Sequence, residues 1–212
     1  TEVVSVGKRT LRKRNDAPEA WPSDLIFSLD ERVKACRMDR KKREDIDENQ
    51  SLSLKEKNKQ RNDLRRLEHR FIDRLHFAHQ SIYGHDPVRQ RFIHFWANHF
   101  TVGASGPSPF FIGHLIQDII TKGITGSFDQ LAYDVTRHPS MLTYLDNVYS
   151  VGENSRYARD AGKNKQIGLN DNLARELMEL HTTSPSIGYT ETDIREAAKI
   201  LSGWGDIFDN PK

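Results

Sequence analysis

The chain has 212 residues, 36% of them hydrophobic and 29% charged, with a formal net charge of +2. It contains no run of the roughly 20 apolar residues that a membrane-spanning helix needs, which excludes a transmembrane protein. The single cysteine, Cys36, excludes a disulfide framework and a metal site built only of cysteines within one chain.

The N-terminal arm, residues 1–30, has a mixed and weakly patterned sequence. Pro18 and Pro22 interrupt any helix in it. The arm is therefore expected to be mostly loop, with a short helix near 23–29. A longer helix is predicted over about 28–43.

The segment 31–85 is a basic helical region, but acidic residues alternate with its lysines and arginines. Such a mixed-sign sequence is typical of a solvated helix face, so no binding to nucleic acid is expected. One predicted helix has an apolar face with residues three and four positions apart. That face consists of Leu64, Leu67, Phe71, Leu75, Ala78 and Ile82. His69 and His76 project away from it toward solvent, and His76 with His79 would need a third ligand to bind a metal.

Residues 86–212 predict a series of helices. Asp86-Pro87 is typical of a helix start, and Asn170 caps a helix over about 170–182. The polar segment 150–168 predicts a long loop. No alternation of period two is present, so the predicted class is all-α: an irregular multi-helix globular domain of about seven or eight helices with long loops. The segment 31–85 is expected to belong to the same domain.

An acidic loop is predicted at 45–56, where DIDENQSLSLKE has the oxygen-ligand spacing of an EF-hand. The ligand positions are occupied by Asp45, Asp47, Asn49, Ser51 and Glu56. Gln50 stands where the sharp turn of that loop needs glycine. Two interpretations remain open: a calcium-binding element with Ca²⁺ as cofactor, and a loop followed by a capping box of Ser53 and Glu56.

Four longer motifs occur in order: FWANHFTV (95–102), RHPSMLTYLDN (137–147), GLNDNLARELMELHT (168–182) and GYTETDIREAAKILSGW (188–204). Through them, over roughly residues 88–206, the chain resembles the bacterial family called domain of unknown function 1800. The resemblance implies a largely helical domain, often exported to the periplasm or beyond, with no established activity. It also implies a protein partner from the uncharacterised family 1501, whose genes often lie beside those of this family.

Two features of the chain bear on that resemblance. Family members usually continue well past Gly203-Trp204, so part of the fold is expected to be missing. No apolar stretch of signal-peptide type lies near the start of this chain, so the sequence itself leaves the compartment open.

The motifs also supply the candidate site residues. Their polar side chains are costly to bury unless they satisfy one another, so we expect them to meet in one cluster between helices. The candidate catalytic residues are Glu176, Glu179, His181, His99 and His138. The candidate substrate-binding residues are Asn98, Arg137, Asp146, Asn147, Asn172 and Arg175.

Helical geometry limits what these residues can do. Glu179 and His181 are about 200° apart on a continuous α-helix, so they cannot share one metal ion there. His181 and Leu180 fall on the apolar face, which allows a core histidine as well as a catalytic one. Glu176 and Glu179 share the polar face and form either an acid/base pair or, with Arg175, a structural ion-pair network.

Three functional hypotheses follow from this sequence. The first is an accessory or interaction protein of the bacterial envelope. The second is a hydrolase-type enzyme that uses the polar cluster, and the third is a calcium-responsive element at 45–56. Solvent access separates the first two, because an enzyme needs at least one carboxylate and one histidine within reach of substrate.

Overall fold

The computed structural model describes residues 3–6, 9–12, 20–64, 68–104, 106–160 and 168–205. The chain divides into two compact units, residues 1–92 and 93–212. Helices dominate the described residues, which confirms the all-α class. None of the described helices combines the length and apolar character that crossing a bilayer requires.

The first unit consists of a short hairpin, a 3₁₀ turn and helices, and the chain divides within the last of these helices. The elements are β1 (Val3–Val6), β2 (Arg9–Arg12), the turn Ser23–Leu25, α1 (Leu29–Glu48), α2 (Leu54–Leu64), α3 (Glu68–Tyr83) and α4 (Pro87–His99). The two strands are antiparallel, with Val3 opposite Arg12. Valine favours extended backbone, so part of the predicted arm is a hairpin rather than loop.

The second unit contains short helices, two of which continue into π-helical segments. Its elements are the turn Ser108–Phe110, α5 (Ile112–His114), the π segment Leu115–Ile120, α6 (Thr121–Gly123), α7 (Phe128–Thr136), α8 (Pro139–Tyr144), the turn Asn147–Tyr149, α9 (Arg156–Asp160), α10 (Asn172–Glu176), the π segment Leu177–Thr182, the turn Pro185–Ile187 and α11 (Glu191–Leu201).

The start of α1 follows from its first residues. Ser28 accepts a hydrogen bond at Oγ from the Glu31 backbone N–H (3.3 Å), and the Ser28 N–H donates to Glu31 Oε2 (2.8 Å). This capping box satisfies two backbone donors at once and confirms the predicted start near residue 28. Asp86 begins α4 in a similar way, since its Oδ1 accepts from the Arg89 N–H (2.9 Å).

The buried face of α3 differs from the predicted one. Ile72, Asp73 and His76 are buried, whereas Phe71 and Ile82 are exposed. The helix is turned because Asp73 pairs with a buried arginine of α1 and because His76 stacks on Trp21, with ring centroids 4.9 Å apart. The prediction that His76 faces solvent is therefore wrong. Leu67 lies outside the described residues, as does the side chain of His69.

The arginine of α1 is Arg32, which is fully buried. Its Nη1 and Nη2 donate to the two carboxylate oxygens of Asp73 at 2.7 and 2.8 Å, and its Nε donates to the Phe27 carbonyl oxygen at 3.1 Å. A small apolar core accompanies this pair, formed by Trp21, Leu25 and Ile72. Ion pairing and apolar packing together fix α3 against α1.

The core of the second unit is mostly aromatic and aliphatic. Its most deeply buried apolar side chains include Phe100, Phe110, Phe111, Leu115, Ile120, Val135, Met141, Leu173 and Ile194. Within this unit α10 packs against α11, and buried Leu173 and Ala174 supply one side of that packing. The predicted loop 150–168 contains α9, while residues 161–167 lie outside the described part of the chain.

Candidate functional site

A π-helical segment, Leu177–Thr182, replaces the second half of the α-helix predicted over 170–182. A π-helix closes its hydrogen bonds over five residues instead of four, so its side chains turn less per residue than on an α-helix. His181 remains buried, as the sequence predicted, but Leu180 is 65% exposed instead of buried beside it. The sequence pattern missed this because it assumed one helical period throughout.

His99 and His181 meet at this segment. Nitrogen Nε2 of His99 lies 3.0 Å from the carbonyl oxygen of His181, and since a carbonyl only accepts, Nε2 carries the proton. Nδ1 of His181 is buried without a hydrogen-bond partner among the described residues. Burial, and to a smaller extent the nearby His99, lower the pKa of His181 to about 4. His181 is therefore neutral at pH 7.

A cluster of aromatic rings lies at the surface next to these histidines. We call Phe95, Trp96 and Phe128 the aromatic surface cluster. Trp96 has ring centroids 5.0 Å from Phe95 and 5.5 Å from Phe128, and the two phenylalanines are 59% and 42% exposed. Buried Phe100 contacts Trp96 and Phe128 (5.7 and 6.4 Å). Phe128 of α7 thus joins two aromatic residues of α4 in one cluster.

Arg175 is the centre of a charged network. Its Nη1 and Nη2 donate to the two carboxylate oxygens of Glu191 (3.0 and 2.7 Å), to Glu179 Oε1 (3.2 Å) and to Asp171 Oδ2 (3.1 Å). Hydrogen bonds from Arg175 lower the pKa of Glu191, and the carboxylates raise that of Arg175. Three acids thus bind the guanidinium group, and Glu179 is the one among them that the predicted network contained. Glu176 lies on the same helix and is half-buried.

Two members of this region were absent from the sequence-based candidates. Glu191 lies in the first turn of α11, where acids commonly stabilise a helix start. Burial and the neighbouring Glu179 carboxylate raise the pKa of Tyr189. Only the spacing of Arg175 from Asp171 and Glu179, four residues in each direction, was readable from the sequence.

His138 belongs to a different group, a histidine pair with His114. His114 Nδ1 lies 3.0 Å from His138 Nε2, and the ring centroids are 5.3 Å apart. His138 also caps α8, since its Nδ1 accepts from the Ser140 backbone N–H at 3.2 Å. On the other side, His114 Nε2 lies 4.0 Å from Asp118 Oδ2. His114 lies outside the four motifs and was therefore not among the sequence-based candidates.

Asn147 closes the end of α11. Its side chain is buried, and Nδ2 donates to the carbonyl oxygens of Leu201 (3.1 Å) and Trp204 (3.3 Å). The residue before it, Asp146, is exposed and has a left-handed backbone with φ of 57°. The two hydrogen bonds from Asn147 satisfy carbonyl groups at and beyond the end of α11, where regular helical partners are missing.

The remaining candidates lie at the surface or serve the backbone. Arg137 is exposed and lies over the ring of Tyr133 at 4.8 Å, and Asn98 is exposed on α4. The Asn172 backbone N–H donates to Asn170 Oδ1 at 3.0 Å, as expected for a helix start. The hydrogen bonds of the described residues thus join the candidates in separate local groups rather than in the single expected cluster.

The segment 45–56 does not form the EF-hand loop that its spacing suggested. Asp45 and Asp47 lie inside α1, which continues to Glu48, and Asn49 Oδ1 accepts from the Ser51 N–H and hydroxyl (3.0 and 2.6 Å). Glu56 accepts from the Ser53 N–H (2.9 Å) and hydroxyl (2.5 Å). Without glycine at position 50 the sharp turn is absent, and the capping box forms instead.

Asp47 has its own partner, Arg61 of α2, which donates to Asp47 Oδ1. Across the described parts of the chain, no three His, Cys, Asp or Glu side chains converge as metal ligands do. The calcium prediction for Asp45, Asp47, Asn49, Ser51 and Glu56 is therefore corrected to a helix end and a helix start.

Comparison with known proteins identifies a family. A family model described as "Protein of unknown function (DUF1800)" matches residues 8–209, nearly the whole chain. No curated protein matches, and no solved structure matches. The matched range includes all four motifs found in the sequence.

Proposed function

Given that this chain belongs to the DUF1800 family of proteins of unknown function, we propose that it is an accessory protein of the bacterial envelope that binds another protein through the aromatic surface cluster. The observation that carries the proposal is the exposure of Phe95 and Phe128, both of which contact the ring of Trp96. Large aromatic side chains with exposed faces commonly anchor protein interfaces. The envelope location comes from the family resemblance alone.

The charge beside the cluster indicates what kind of surface would fit it. Asp129 follows Phe128 in the first turn of α7, and a hydrogen bond from Ser127 lowers its pKa, so it is ionised at neutral pH. A partner that places an apolar side chain on the rings and a lysine or arginine near Asp129 would complement both features. A family 1501 protein is the partner that the resemblance implies.

The hydrolase alternative has less support. The Glu179 carboxylate accepts a hydrogen bond from Arg175, and His181 is buried and neutral. Acid/base catalysis needs a carboxylate and a histidine that reach the same substrate. The contacts of the described residues place these two groups in different roles: an ion-pair network and a helix-packing contact.

Isothermal titration calorimetry tests the proposal directly. The purified protein would be titrated with the purified family 1501 protein of the same organism. Phe95→Ala should weaken the measured affinity at least about tenfold, because it removes an exposed anchor without opening the core. Phe128→Ala should do the same, with the thermal midpoint measured in parallel because Phe128 also contacts Phe100.

Ile200→Ala is the matched control. Ile200 is also large and apolar, is 76% exposed and lies on α11, and no ring contact joins it to the cluster among the described residues. The Ile200→Ala variant should bind the family 1501 protein with the same affinity as the unmodified protein. Equal affinity in Phe95→Ala and Phe128→Ala, or no binding of the family 1501 protein, would contradict the proposal.

A further inference from the structure

The histidine pair of His114 and His138 supports an inference that does not depend on the proposed function. We propose that the pair is a protonation-sensitive lock, which holds the helix beginning at Ile112 to the start of α8 only while both rings are neutral. The lock consists of the 3.0 Å contact between His114 Nδ1 and His138 Nε2 together with the Ser140 N–H bond to His138.

The hydrogen-bond partners determine where each proton lies. A backbone N–H can only donate, so His138 Nδ1, 3.2 Å from the Ser140 nitrogen, must present its lone pair. A neutral His138 then carries its proton on Nε2 and donates to His114 Nδ1. His114 in turn carries its proton on Nε2, which lies on the side of Asp118.

This arrangement has no place for a third proton. The two neutral rings have two lone pairs in total, and each already accepts a hydrogen bond. A proton added to His114 Nδ1 would face the His138 N–H across 3.0 Å, and one added to His138 Nδ1 would face the Ser140 N–H across 3.2 Å. Each added proton therefore replaces one hydrogen bond by two opposed donors, so acidification opens the lock.

Charged groups on the neighbouring elements act on the pair in both directions. Asp118 favours a cation on His114, but Lys122 pairs with the same carboxylate at 2.5 Å and offsets its charge. Arg137 precedes His138 in the chain and opposes a second cation there. Asp134 is one turn earlier, and its carboxylate accepts from Gln130 (2.9 Å). Ser140, on the side of α8, is uncharged.

Opening would affect α8 first. His138 is the N-cap of this helix, and its loss as an acceptor leaves the Ser140 N–H unsatisfied in a buried position. Ser140 also donates from Oγ to the Ser108 carbonyl oxygen at 3.3 Å. Met141 and Leu142, which follow, are buried in the core of the second unit. The proton thus acts at the end of a helix that is packed into this core.

The same geometry argues against a metal ion bridging the pair. A metal bound to His138 Nε2 would require the proton on Nδ1, opposite the Ser140 N–H. Binding would therefore break the cap that orients the ring. Zinc binding to both rings would therefore contradict the lock.

Nitrogen-15 NMR of the histidine side chains tests the lock in the intact protein. We expect the His138 signals to show a proton on Nε2, and both rings of the pair to titrate at least about one pH unit below exposed His85. A proton on His138 Nδ1, or titration of the pair at or above the His85 midpoint, would overturn the proposal. So would zinc chloride shifting both rings together.

Two variants supply an independent readout. His138→Asn keeps an N-cap acceptor, and His114→Gln keeps an acceptor for the His138 N–H, but neither new side chain titrates. The urea midpoint of the unmodified protein should fall between pH 7.5 and pH 5, and this fall should be smaller in both variants. His85→Gln is the control and should retain the full fall. A full fall in both lock variants would refute the lock even if the variants fold normally.

Discussion

Several buried or half-buried polar side chains in the second unit bind backbone groups. The amide of Asn147 donates to two carbonyl oxygens at the end of α11, His99 donates to the carbonyl of His181, and His138 accepts from a backbone N–H. Helix ends and π segments leave such backbone groups without regular partners. These polar side chains therefore supply the hydrogen-bond partners that the backbone groups of short helices lack.

His181 is a further buried histidine whose environment makes the second unit sensitive to pH. Its pKa is lowered from 6.5 to about 4, so the unfolded chain binds more protons than the folded one between these values. The stabilising contribution is present above pH 6.5 and is lost as the pH falls toward 4. Between pH 7.5 and pH 5 the loss should be about 2 kcal/mol.

Urea denaturation at the two pH values measures this loss. His181→Leu removes the titrating group and should reduce the fall in the free energy of unfolding relative to the unmodified protein. His85→Leu, at an exposed histidine, should leave the fall unchanged. An equal fall in His181→Leu would show that burial of His181 does not contribute to the pH dependence.

The starts of individual helices were predictable from the sequence, but the side of a helix that is buried was not. The Ser28 capping box and the Asp86 helix start depend on residues three positions apart, and both were readable from the sequence. The buried face of α3 was not, because the distant partner Arg32 makes Asp73 a core residue. The π segment at 177–182 was equally hidden, since its change of period depends on packing rather than on a residue pattern.

The buried ion pair between α1 and α3 should contribute strongly to the stability of the fold. Asp73→Ala would remove the Asp73 carboxylate from the buried Arg32 guanidinium group, which should cost about 3–5 kcal/mol of unfolding free energy. Asp47→Ala removes another aspartate–arginine pair, Asp47 with Arg61, but this pair is exposed and should cost about 0–1 kcal/mol. Chemical denaturation followed by circular dichroism compares the two.

If Asp73→Ala and Asp47→Ala cost the same, burial of the Arg32–Asp73 pair does not determine its contribution. Asp73→Asn separates charge from shape, because it keeps the size of the side chain and some of its hydrogen bonds. It should lie between the alanine variant and the unmodified protein.

For the whole molecule, the four motifs identified the family, and the helical period identified the class. The position of the site was harder to predict, because the distance between Arg175, His138 and Asn147 depends on how helices pack, which no local spacing encodes. The assignment of 31–85 and 86–212 to one domain stays a prediction. The structure divides the chain into two compact units between residues 92 and 93.

The two units predict how destabilisation should spread. Asp73→Ala should speed hydrogen exchange mainly within residues 20–92, and Asn147→Ala mainly within 93–205, because each side chain contacts only its own unit through the bonds described. Mass spectrometry of peptic peptides resolves the two ranges. Faster exchange throughout the chain in either variant would indicate a single cooperative structure.

The burial of Cys36 on α1 has a practical consequence. It is the sole thiol in the chain, and a thiol reagent can modify it only when the surrounding structure opens. The rate of its labelling by a coloured disulfide reagent therefore times the opening events of the first unit without any engineered reporter. Raising the reagent concentration until the rate levels off would give the opening rate itself.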